Sequence, residues 1–404
     1  MHFNYLAFAI PFFIGLMLVE YLFSKKKKRK VFGFEEAVTN LNMGIAERLT
    51  DLFSTVFFYF IFQWLYQHFS LFSIRPNLFN WVLLFIVTDF IWYWYHRFGH
   101  TVNLFWSVHV VHHQSDDFNY TTSVRITFFQ SLARTLFWSI LPIIGFPPYM
   151  VTLFLLVHGA YPFFTHTQLI GKLGVLEKFM VTPSHHRVHH SSNEEYLDKN
   201  YGDILIIWDK IFGTFAVERS TPVYGLTTPL RSYSFLWQLF HFPLELLVSL
   251  KRADGFRKKL KVLFGKPDDI DPRIRTYLER KLHIHAYPNV NSTMNTFIKV
   301  QTILTLSILF VVILLEQYLT FLQLLTASFF ILISVINTGA MLEQRRWIFY
   351  LEYVRLILLS VFVITIFPNH VMINSIAFVL LMILFFYKTL SNRYFNMLYN
   401  YVEA

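Results

Sequence analysis

Nine stretches of mainly apolar residues constrain the fold of this 404-residue chain more than any other feature. Their approximate limits are 5–23, 51–67, 79–95, 128–145, 148–165, 297–315, 319–340, 347–367 and 371–387. A helix that crosses a membrane needs about 20 apolar residues, and most of these stretches reach or approach that length. Charged residues make up only 15% of the chain, against about 25% in an average soluble domain. The sequence therefore predicts an all-α, polytopic integral membrane protein with about nine membrane segments.

The basic residues lie mainly at one end of these segments. The run Lys25–Lys30 directly follows the first segment, which indicates a retained anchor, because a signal peptide carries its positive charge before the apolar stretch. If the segments alternate from there, Arg75 is the only basic residue in the predicted outside loops. Cytoplasmic loops are enriched in Lys and Arg, so the basic side is predicted to be cytoplasmic. The net charge of +10 is then explained by loops that face anionic lipid, and nucleic acid is not an expected partner.

The chain is predicted to have four consecutive parts. They are an N-terminal membrane anchor region (1–78), a histidine-rich core (79–226), a cytoplasmic segment (227–296) and a C-terminal membrane region (297–404). Within the core, Pro142, Pro147 and Pro148 predict a tight turn between the fourth and fifth apolar segments.

Three short motifs contain a large share of the 17 histidines, and the chain has no cysteine. The motifs are His96-x3-His100, His109-x2-His112-His113 and His186-x2-His189-His190. On a helix, spacings of three and four place side chains on one face, so each motif presents two or three imidazoles to one point. Without thiolates, imidazole is the abundant soft ligand, and the three boxes predict a metal site.

The number of histidines favours iron over zinc. A structural zinc ion takes four ligands and a catalytic one three, and the eight boxed imidazoles exceed both. Two six-coordinate iron ions match that number, with positions left for oxygen or water, so we predict a di-metal cap on the cytoplasmic side. His166 ends the fifth segment on the same side and is a predicted ninth ligand. His158 lies deeper and is not expected to bind metal, while His185 is expected to support the ligands from outside.

Acidic residues near the boxes are candidates for positioning roles. Asp89 shares a helical stripe with His96 and His100, and an acid inside a membrane segment is functional by default. Asp89 is predicted to orient His96 through its second ring nitrogen, the alternative being a hydrogen bond to another helix. Asp116, Asp117 and Asn119 either support the second box or are ordinary loop residues. The remaining histidines are expected to be hydrogen-bonded residues without metal: His2, His68, His241, His283, His285 and His370.

Longer segments around the boxes resemble a known family. They are Asp89-Phe-Ile-Trp-Tyr-Trp-Tyr-His96-Arg, Thr182-Pro-Ser-His-His-Arg-Val-His-His190 and Asp198–Phe215, followed by Val223-Tyr-Gly-Leu226. These segments resemble the fatty acid hydroxylase and sterol desaturase superfamily of membrane di-iron oxygenases. Within it, the long C-terminal membrane region makes the chain most similar to the alkylglycerol monooxygenases.

The resemblance implies a reaction and its cofactors. It implies two iron ions and hydroxylation of the ether-bearing carbon of an alkylglycerol with O2 and tetrahydrobiopterin. The hemiacetal product would collapse to a fatty aldehyde and a glycerol derivative. Animal members carry an acidic residue directly after the first box, where this chain has Thr101. An electron donor protein in place of the pterin therefore stays an alternative.

Two other functions fit parts of the pattern. A fatty acyl or sterol hydroxylase or desaturase belongs to the same class of enzyme. A metal transporter belongs to a different class, but transport needs ligands along a path near the membrane midplane. The boxes instead cluster where the segments reach the membrane surface, which favours a lipid monooxygenase.

Overall fold

The computed structural model describes residues 3–284 and 292–399. Regular structure in these ranges is helical, and β pairing is limited there to two isolated bridges, Met180–Leu205 and Ser191–Tyr224. The predicted all-α class is confirmed. Long apolar runs with few glycines and prolines favour helices, since every backbone hydrogen bond is then made within the segment.

The helices are numbered in chain order. The first ten are α1 (Ala9–Lys26), α2 (Phe34–Phe69), α3 (Leu78–Thr101), α4 (Asn103–His109), α5 (Tyr120–Ser123), α6 (Gln130–Trp138), α7 (Ile140–Ile144), α8 (Pro148–Thr165), α9 (Pro183–His189) and α10 (Ile207–Ile211). The next are α11 (Phe235–Arg252), α12 (Phe256–Phe264), α13 (Arg273–Lys281), α14 (Ser292–Leu314), α15 (Phe321–Leu342), α16 (Ile348–Ile366), α17 (His370–Phe385) and α18 (Tyr387–Leu398).

The chain divides into two compact units. The terminal unit contains the described residues of Met1–Gly15, Arg231–Trp237 and His285–Ala404. The histidine unit contains Leu16–Leu230 and Gln238–Ile284, and it carries all three histidine boxes. The four-part division expected from the sequence stays a prediction.

Several helices have the length and composition of membrane spans. Within the described residues, five such segments are Tyr5–Lys26, Leu78–Thr101, Ser292–Leu314, Phe321–Leu342 and Ile348–Ile366. The pair α17 and α18 adds a sixth if its 72° bend lies within one span. These helices make the chain a multi-pass membrane protein, but the predicted number of about nine segments is not confirmed.

The difference between the nine predicted segments and these candidate spans has structural causes. The apolar stretch 51–67 is the second half of α2, whose 36 residues span about 54 Å at about 1.5 Å per residue. The first half of α2 contains buried polar residues such as Asn40 and Glu47, and α2 is not among the candidate spans of the described residues. The stretch 128–145 is broken at Ser139 into α6 and α7. α8 contains Pro162 in its interior and lies outside the five spans.

The turn predicted between the fourth and fifth stretches is present. α7 ends at Ile144 and α8 begins at Pro148. Proline suits the first position of a helix, because it has no backbone N–H that would need a hydrogen-bond partner. Gly145 adopts φ +121° between them, and a Cβ there would lie 2.0 Å from the carbonyl oxygen of Phe72. The close approach of two backbones explains why this position is glycine.

An aromatic core packs α3 against its neighbours in the histidine unit. The ring of Trp92 lies 4.9 Å from that of Trp138 in α6, and Tyr95 lies 5.4 Å from the same ring. Both pairs meet edge to face, the arrangement that aromatic rings prefer. This packing fixes the rotation of α3 about its axis and so the direction in which its histidines point.

Candidate metal centre

The first box lies at the C-terminal end of α3. His96 and His100 are about one helical turn apart, and their ring centroids are separated by 5.4 Å. α3 ends at Thr101 and α4 begins at Asn103, so the chain changes direction at once. This turn brings the ring of His109 to 4.8 Å from that of His96.

The second box crosses a change of helix type. α4 ends at His109, and a 3-10 turn covers Val110–His113. His113 Nε2 lies 3.1 Å from His109 Nε2, whereas His112 Nε2 lies 3.2 Å from His166 Nε2. The rings of His112 and His113 are nearly perpendicular, at 88°. Two adjacent histidines therefore face different partners.

The third box divides in the same way. The ring of His189 lies 4.2 Å from that of His96, and the ring of His186 lies 4.2 Å from that of His166. His166 directly follows α8, and its Nε2 is 3.0 Å from that of His186 and 3.2 Å from that of His190. His166 therefore contacts two histidines of the third box, although it belongs to none of the three boxes.

The nine predicted ligand histidines form two adjoining groups. The five-histidine group consists of His96, His100, His109, His113 and His189. The four-histidine group consists of His112, His166, His186 and His190. Within each group one ring nitrogen of every member lies within 4.8 Å of the others. The groups meet at His113 and His190, whose rings stack with centroids 4.3 Å apart.

Backbone carbonyls hold the outer nitrogen of several rings. The Nδ1–carbonyl pairs are His96 with Tyr201 (2.8 Å), His112 with Arg125 (3.2 Å), His166 with Pro162 (2.6 Å) and His189 with Lys199 (3.0 Å). A carbonyl oxygen can only accept, so Nδ1 of a neutral ring carries the hydrogen and Nε2 keeps a lone pair. The same arrangement orients histidines that bind metal.

The resulting lone pairs converge without hydrogens between them. The Nε2 atoms of His112 and His166 lie 3.2 Å apart, although the Nδ1 contacts leave neither with a hydrogen there. In the five-histidine group, the Nε2 atoms of His96, His100 and His189 are buried and have no hydrogen-bond partner among the described residues. Buried acceptors that face one another are unfavourable unless a cation lies between them. Both groups therefore suit a metal ion.

Burial also keeps these rings neutral. It lowers the pKa of His166 from 6.5 to about 4. Six other rings of the two groups have a pKa well below the ordinary value of histidine, mainly because they are buried and further because neighbouring imidazoles lie close. They are His109, His112, His113, His186, His189 and His190. Neutral imidazole is the form that binds metal, so the environment favours that form at neutral pH.

Asp89 holds a loop instead of a histidine. Its carboxylate accepts hydrogen bonds from the backbone N–H of Ile204 (3.0 Å), the backbone N–H of Leu205 (3.3 Å) and the indole of Trp208 (2.8 Å). The same loop contains Tyr201, whose carbonyl binds Nδ1 of His96. The direct hydrogen bond predicted from Asp89 to His96 is replaced by this indirect connection.

Asp89 also belongs to a third buried cluster, the acidic group, with His158 and Asp203. Nδ1 of His158 lies 2.7 Å from Asp203 Oδ2 and 3.7 Å from Asp89 Oδ1. Here a hydrogen on nitrogen faces acceptors, so a hydrogen bond satisfies the contact. The sequence does not mark Asp203 as a candidate site residue. Its only signal is its position inside the Asp198–Phe215 segment, because no ligand spacing marks it.

The loop after the second box is tied to the segment before α2. Asp117 accepts from the backbone N–H of Gly33, and Asn119 donates its amide to the carbonyl of Val31 (2.6 Å). Between them, the ring of Phe118 lies 5.3 Å from that of His166. Asp117 and Asn119 thus position an apolar wall of the four-histidine group.

Two residues beside the boxes have local roles. Nδ1 of His185 accepts from the backbone N–H of Thr182 (3.3 Å), which stabilises the first turn of α9. The ring of His185 packs against Phe215, outside both histidine groups. Thr101 donates its hydroxyl to the carbonyl of Arg97 in its own helix (2.9 Å). The position after the first box therefore offers no carboxylate.

The other described histidines belong to neither histidine group. Exposed examples are His68, His283 and His370, while His241 is buried beside Gln114 at 3.3 Å. His2 and His285 lie outside the described residues.

Comparison with known proteins points to one family. The fatty acid hydroxylase family model matches residues 81–214, which include all nine histidines of the two groups. The alkylglycerol monooxygenase of Danio rerio is 33% identical over 377 residues, which cover 88% of this chain and 81% of that protein. The Homo sapiens and Xenopus tropicalis alkylglycerol monooxygenases are 37% and 34% identical over 266 and 267 residues, respectively.

The extent of these matches differs. The human and Xenopus tropicalis matches each cover 65% of this chain, but only 60% and 59% of those proteins. No solved structure matches the chain. The match to the Danio rerio protein extends over most of both sequences, and the chain therefore belongs to the alkylglycerol monooxygenase family and carries a fatty acid hydroxylase domain.

Proposed function

We propose that the chain is a membrane monooxygenase that hydroxylates the ether-bearing carbon of alkylglycerols with O2 at a pair of iron ions. The single observation that carries this proposal is the convergence of nine imidazoles into two adjoining groups whose lone pairs face one another. Family membership supports the choice of alkylglycerols as substrate.

The number and kind of ligands support iron. A catalytic zinc ion takes three protein ligands and a structural zinc ion takes four, whereas the five-histidine group offers five imidazoles. Imidazole is a good ligand for iron, which accepts more ligands than zinc. When bound, two iron ions would supply the activation of O2 that attack on an unactivated C–H bond requires.

The protein's own contribution is ligand orientation and exclusion of water. The carbonyls of Tyr201 and Pro162 hold the outer nitrogens of His96 and His166, so their inner lone pairs point into the site before any metal arrives. Most of the nine rings are buried, which keeps bulk water from the reacting centre. No side chain is required to remove the hydrogen from the substrate in this scheme.

The position of the first box supports a substrate that stays in the membrane. His96 and His100 lie within the last turns of the span Leu78–Thr101. A lipid whose polar end lies at the membrane surface would present its ether carbon at that depth. We place this surface on the cytoplasmic side, since the basic run Lys25–Lys30 ends the first span and cytoplasmic loops are rich in Lys and Arg.

The proposed reaction requires two electrons besides O2. One oxygen atom enters the C–H bond, and the other leaves as water after taking up two electrons and two protons. The hydroxylated ether is a hemiacetal, which breaks into a fatty aldehyde and a glycerol derivative. Tetrahydrobiopterin is the donor that the family implies, and a donor protein is the alternative because Thr101 offers no carboxylate to a pterin.

The test is an oxygen-dependent assay with the purified, iron-loaded chain and labelled alkylglycerol, with and without tetrahydrobiopterin. We expect release of labelled fatty aldehyde in the presence of an electron donor, and no release by the His112→Ala variant.

The match to the fatty acid hydroxylase model favours, as the second candidate, a hydroxylase or desaturase of fatty acyl or sterol lipids. Oxidation of such a lipid with no aldehyde from alkylglycerol would support that candidate. Metal uptake into proteoliposomes without oxygen consumption would contradict both.

A further inference from the structure

The short helix α12 carries a pattern that the proposed reaction does not use. Four apolar residues recur at spacings of three and four and share one face: Phe256, Leu260, Leu263 and Phe264. Basic residues flank that face and cover the other side: Arg257, Lys258, Lys259 and Lys261. Over 251–266 the chain has seven basic residues and one acidic residue. The helix is therefore both amphipathic and strongly cationic.

The apolar face of α12 is open. Phe256 is 76% exposed, Phe264 57% and Leu260 37%. The end of α11 extends this surface, because Leu250 and Lys251 line a groove together with residues of α12. We define the α12 surface as this groove and the apolar face of the helix. Contiguous exposed apolar side chains rimmed by charge mark a binding surface for a membrane or a partner.

Two hydrogen bonds fix the height of α12 relative to a membrane span. The backbone N–H of Asn103 donates to the carbonyl of Gly265 (2.9 Å), and its side-chain amide donates to the carbonyl of Val262 (2.8 Å). Asn103 is buried and lies two residues after Thr101, where the span Leu78–Thr101 ends. The C-terminal end of α12 is thus attached directly after the C-terminal end of this candidate span.

We infer that α12 is an interfacial helix whose apolar face enters the headgroup region of a bilayer and whose basic side chains contact anionic lipid headgroups. An apolar stripe between cationic flanks is the pattern of helices that lie in a membrane surface, since Lys and Arg can extend their charges toward the phosphates. The excess of positive charge favours an anionic leaflet over a neutral one. Asn103 also begins α4, which ends at His109, so the attachment links the membrane surface to the metal centre.

Spin labels at single cysteines can test this inference in the full-length chain. The native chain has no cysteine, so Phe256→Cys and Lys258→Cys each introduce one labelling site. Position 256 lies on the apolar face, and position 258 on the basic side is its matched control. The labelled proteins are reconstituted into phosphatidylcholine vesicles with and without phosphatidylserine. Collisions with O2, which partitions into lipid, are compared with collisions with a water-soluble nickel chelate.

We expect the ratio of O2 to nickel collisions to be several-fold higher at position 256 than at position 258. Phosphatidylserine should raise the ratio at position 256 further. The substitutions Lys259→Gln and Lys261→Gln, combined with the label at position 256, should remove that increase and leave the ratio in phosphatidylcholine unchanged.

Equal nickel collisions at positions 256 and 258 in both kinds of vesicle would overturn the inference. Shielding of position 256 from both O2 and nickel, in detergent as well as in vesicles, would also overturn it, because protein would then cover the face. A response to phosphatidylserine that survives the two lysine substitutions would contradict the assigned role of these charges.

Discussion

The two histidine groups differ in how far each depends on one residue. In the four-histidine group, Nε2 of His166 lies within 3.2 Å of the same atom in His112, His186 and His190. In the five-histidine group, Nε2 of His113 lies 3.1 Å from Nε2 of His109, and the centroids of neighbouring rings lie 4.2–5.4 Å apart. One group is thus built around a single histidine, whereas the other shares its contacts among five rings.

This difference bears on metal binding. Loss of one ring would leave four imidazoles in the larger group and three in the smaller one. Four ligands still match a common metal coordination number, and three leave a site more open to solvent. His166 is also the member that belongs to no box. The residue that spacing marks least clearly is therefore the one on which the smaller group depends most.

Removing one histidine from each group should show the difference between the two groups most clearly. His166→Ala is expected to lose about one of two bound metal ions and more than about 100-fold of activity, because ligand loss exceeds the effect of losing an outer partner. His113→Ala should retain both metal ions at saturating metal and bind one of them more weakly, because four imidazoles remain in its group. Metal content after dialysis and titration with a chelator measure both effects.

His68→Ala is the control for these variants, since His68 is exposed and lies outside both groups. It should keep full metal content and activity. Equal loss of metal from the His166→Ala and His113→Ala proteins would remove the distinction between the groups.

A smaller effect is expected from the acidic group. Asp89→Asn preserves the shape of the side chain but replaces one acceptor oxygen by an NH2 donor. If Oδ2 is replaced, this donor faces the N–H groups of Leu205 and Trp208, and if Oδ1 is replaced, it faces the N–H of Ile204. The loop that carries the Tyr201 carbonyl should loosen, and His96 should lose its orientation. Activity is expected to fall about 10–100-fold while most of the metal is retained.

The measurement is activity per bound metal ion, with Asp268→Asn as the control because Asp268 is an exposed acid. Complete loss of metal from the Asp89→Asn protein would make Asp89 a ligand rather than a positioning residue. Unchanged activity per metal ion would show that the loop holds His96 without it.

The sequence predicts which histidines converge better than it predicts how they are arranged. Spacings of three and four mark the eight boxed histidines, and the position of His166 at the end of an apolar stretch marks the ninth. The division into two groups depends on the 3-10 turn at Val110–His113, which sends His112 and His113 to different partners. That turn has no sequence signature as plain as the histidine spacing.

The contacts that orient the rings are still less visible in the sequence. The carbonyls of Tyr201, Pro162 and Lys199 belong to the backbone, which every residue carries, so side-chain identity does not reveal them. Asp203 meets His158 only through the fold, because the two residues are 45 positions apart. Residue spacing describes one helix at a time and contains no information on contacts between helices.

The same limit applies to the membrane segments. Composition predicts the spans Leu78–Thr101 and Ser292–Leu314 well, because each is one long apolar helix. It does not predict that 51–67 continues a helix that began at Phe34, or that 128–145 breaks at Ser139. Such joins and breaks depend on how neighbouring helices pack.

The two histidine groups are proposed to hold two iron ions. Elemental analysis of the purified, unmodified chain, combined with a protein concentration from amino-acid analysis, tests this claim directly. We expect about two iron ions per chain, in keeping with five and four imidazoles in adjoining groups. Zinc as the sole bound metal, or a single metal ion per chain at saturation, would contradict it.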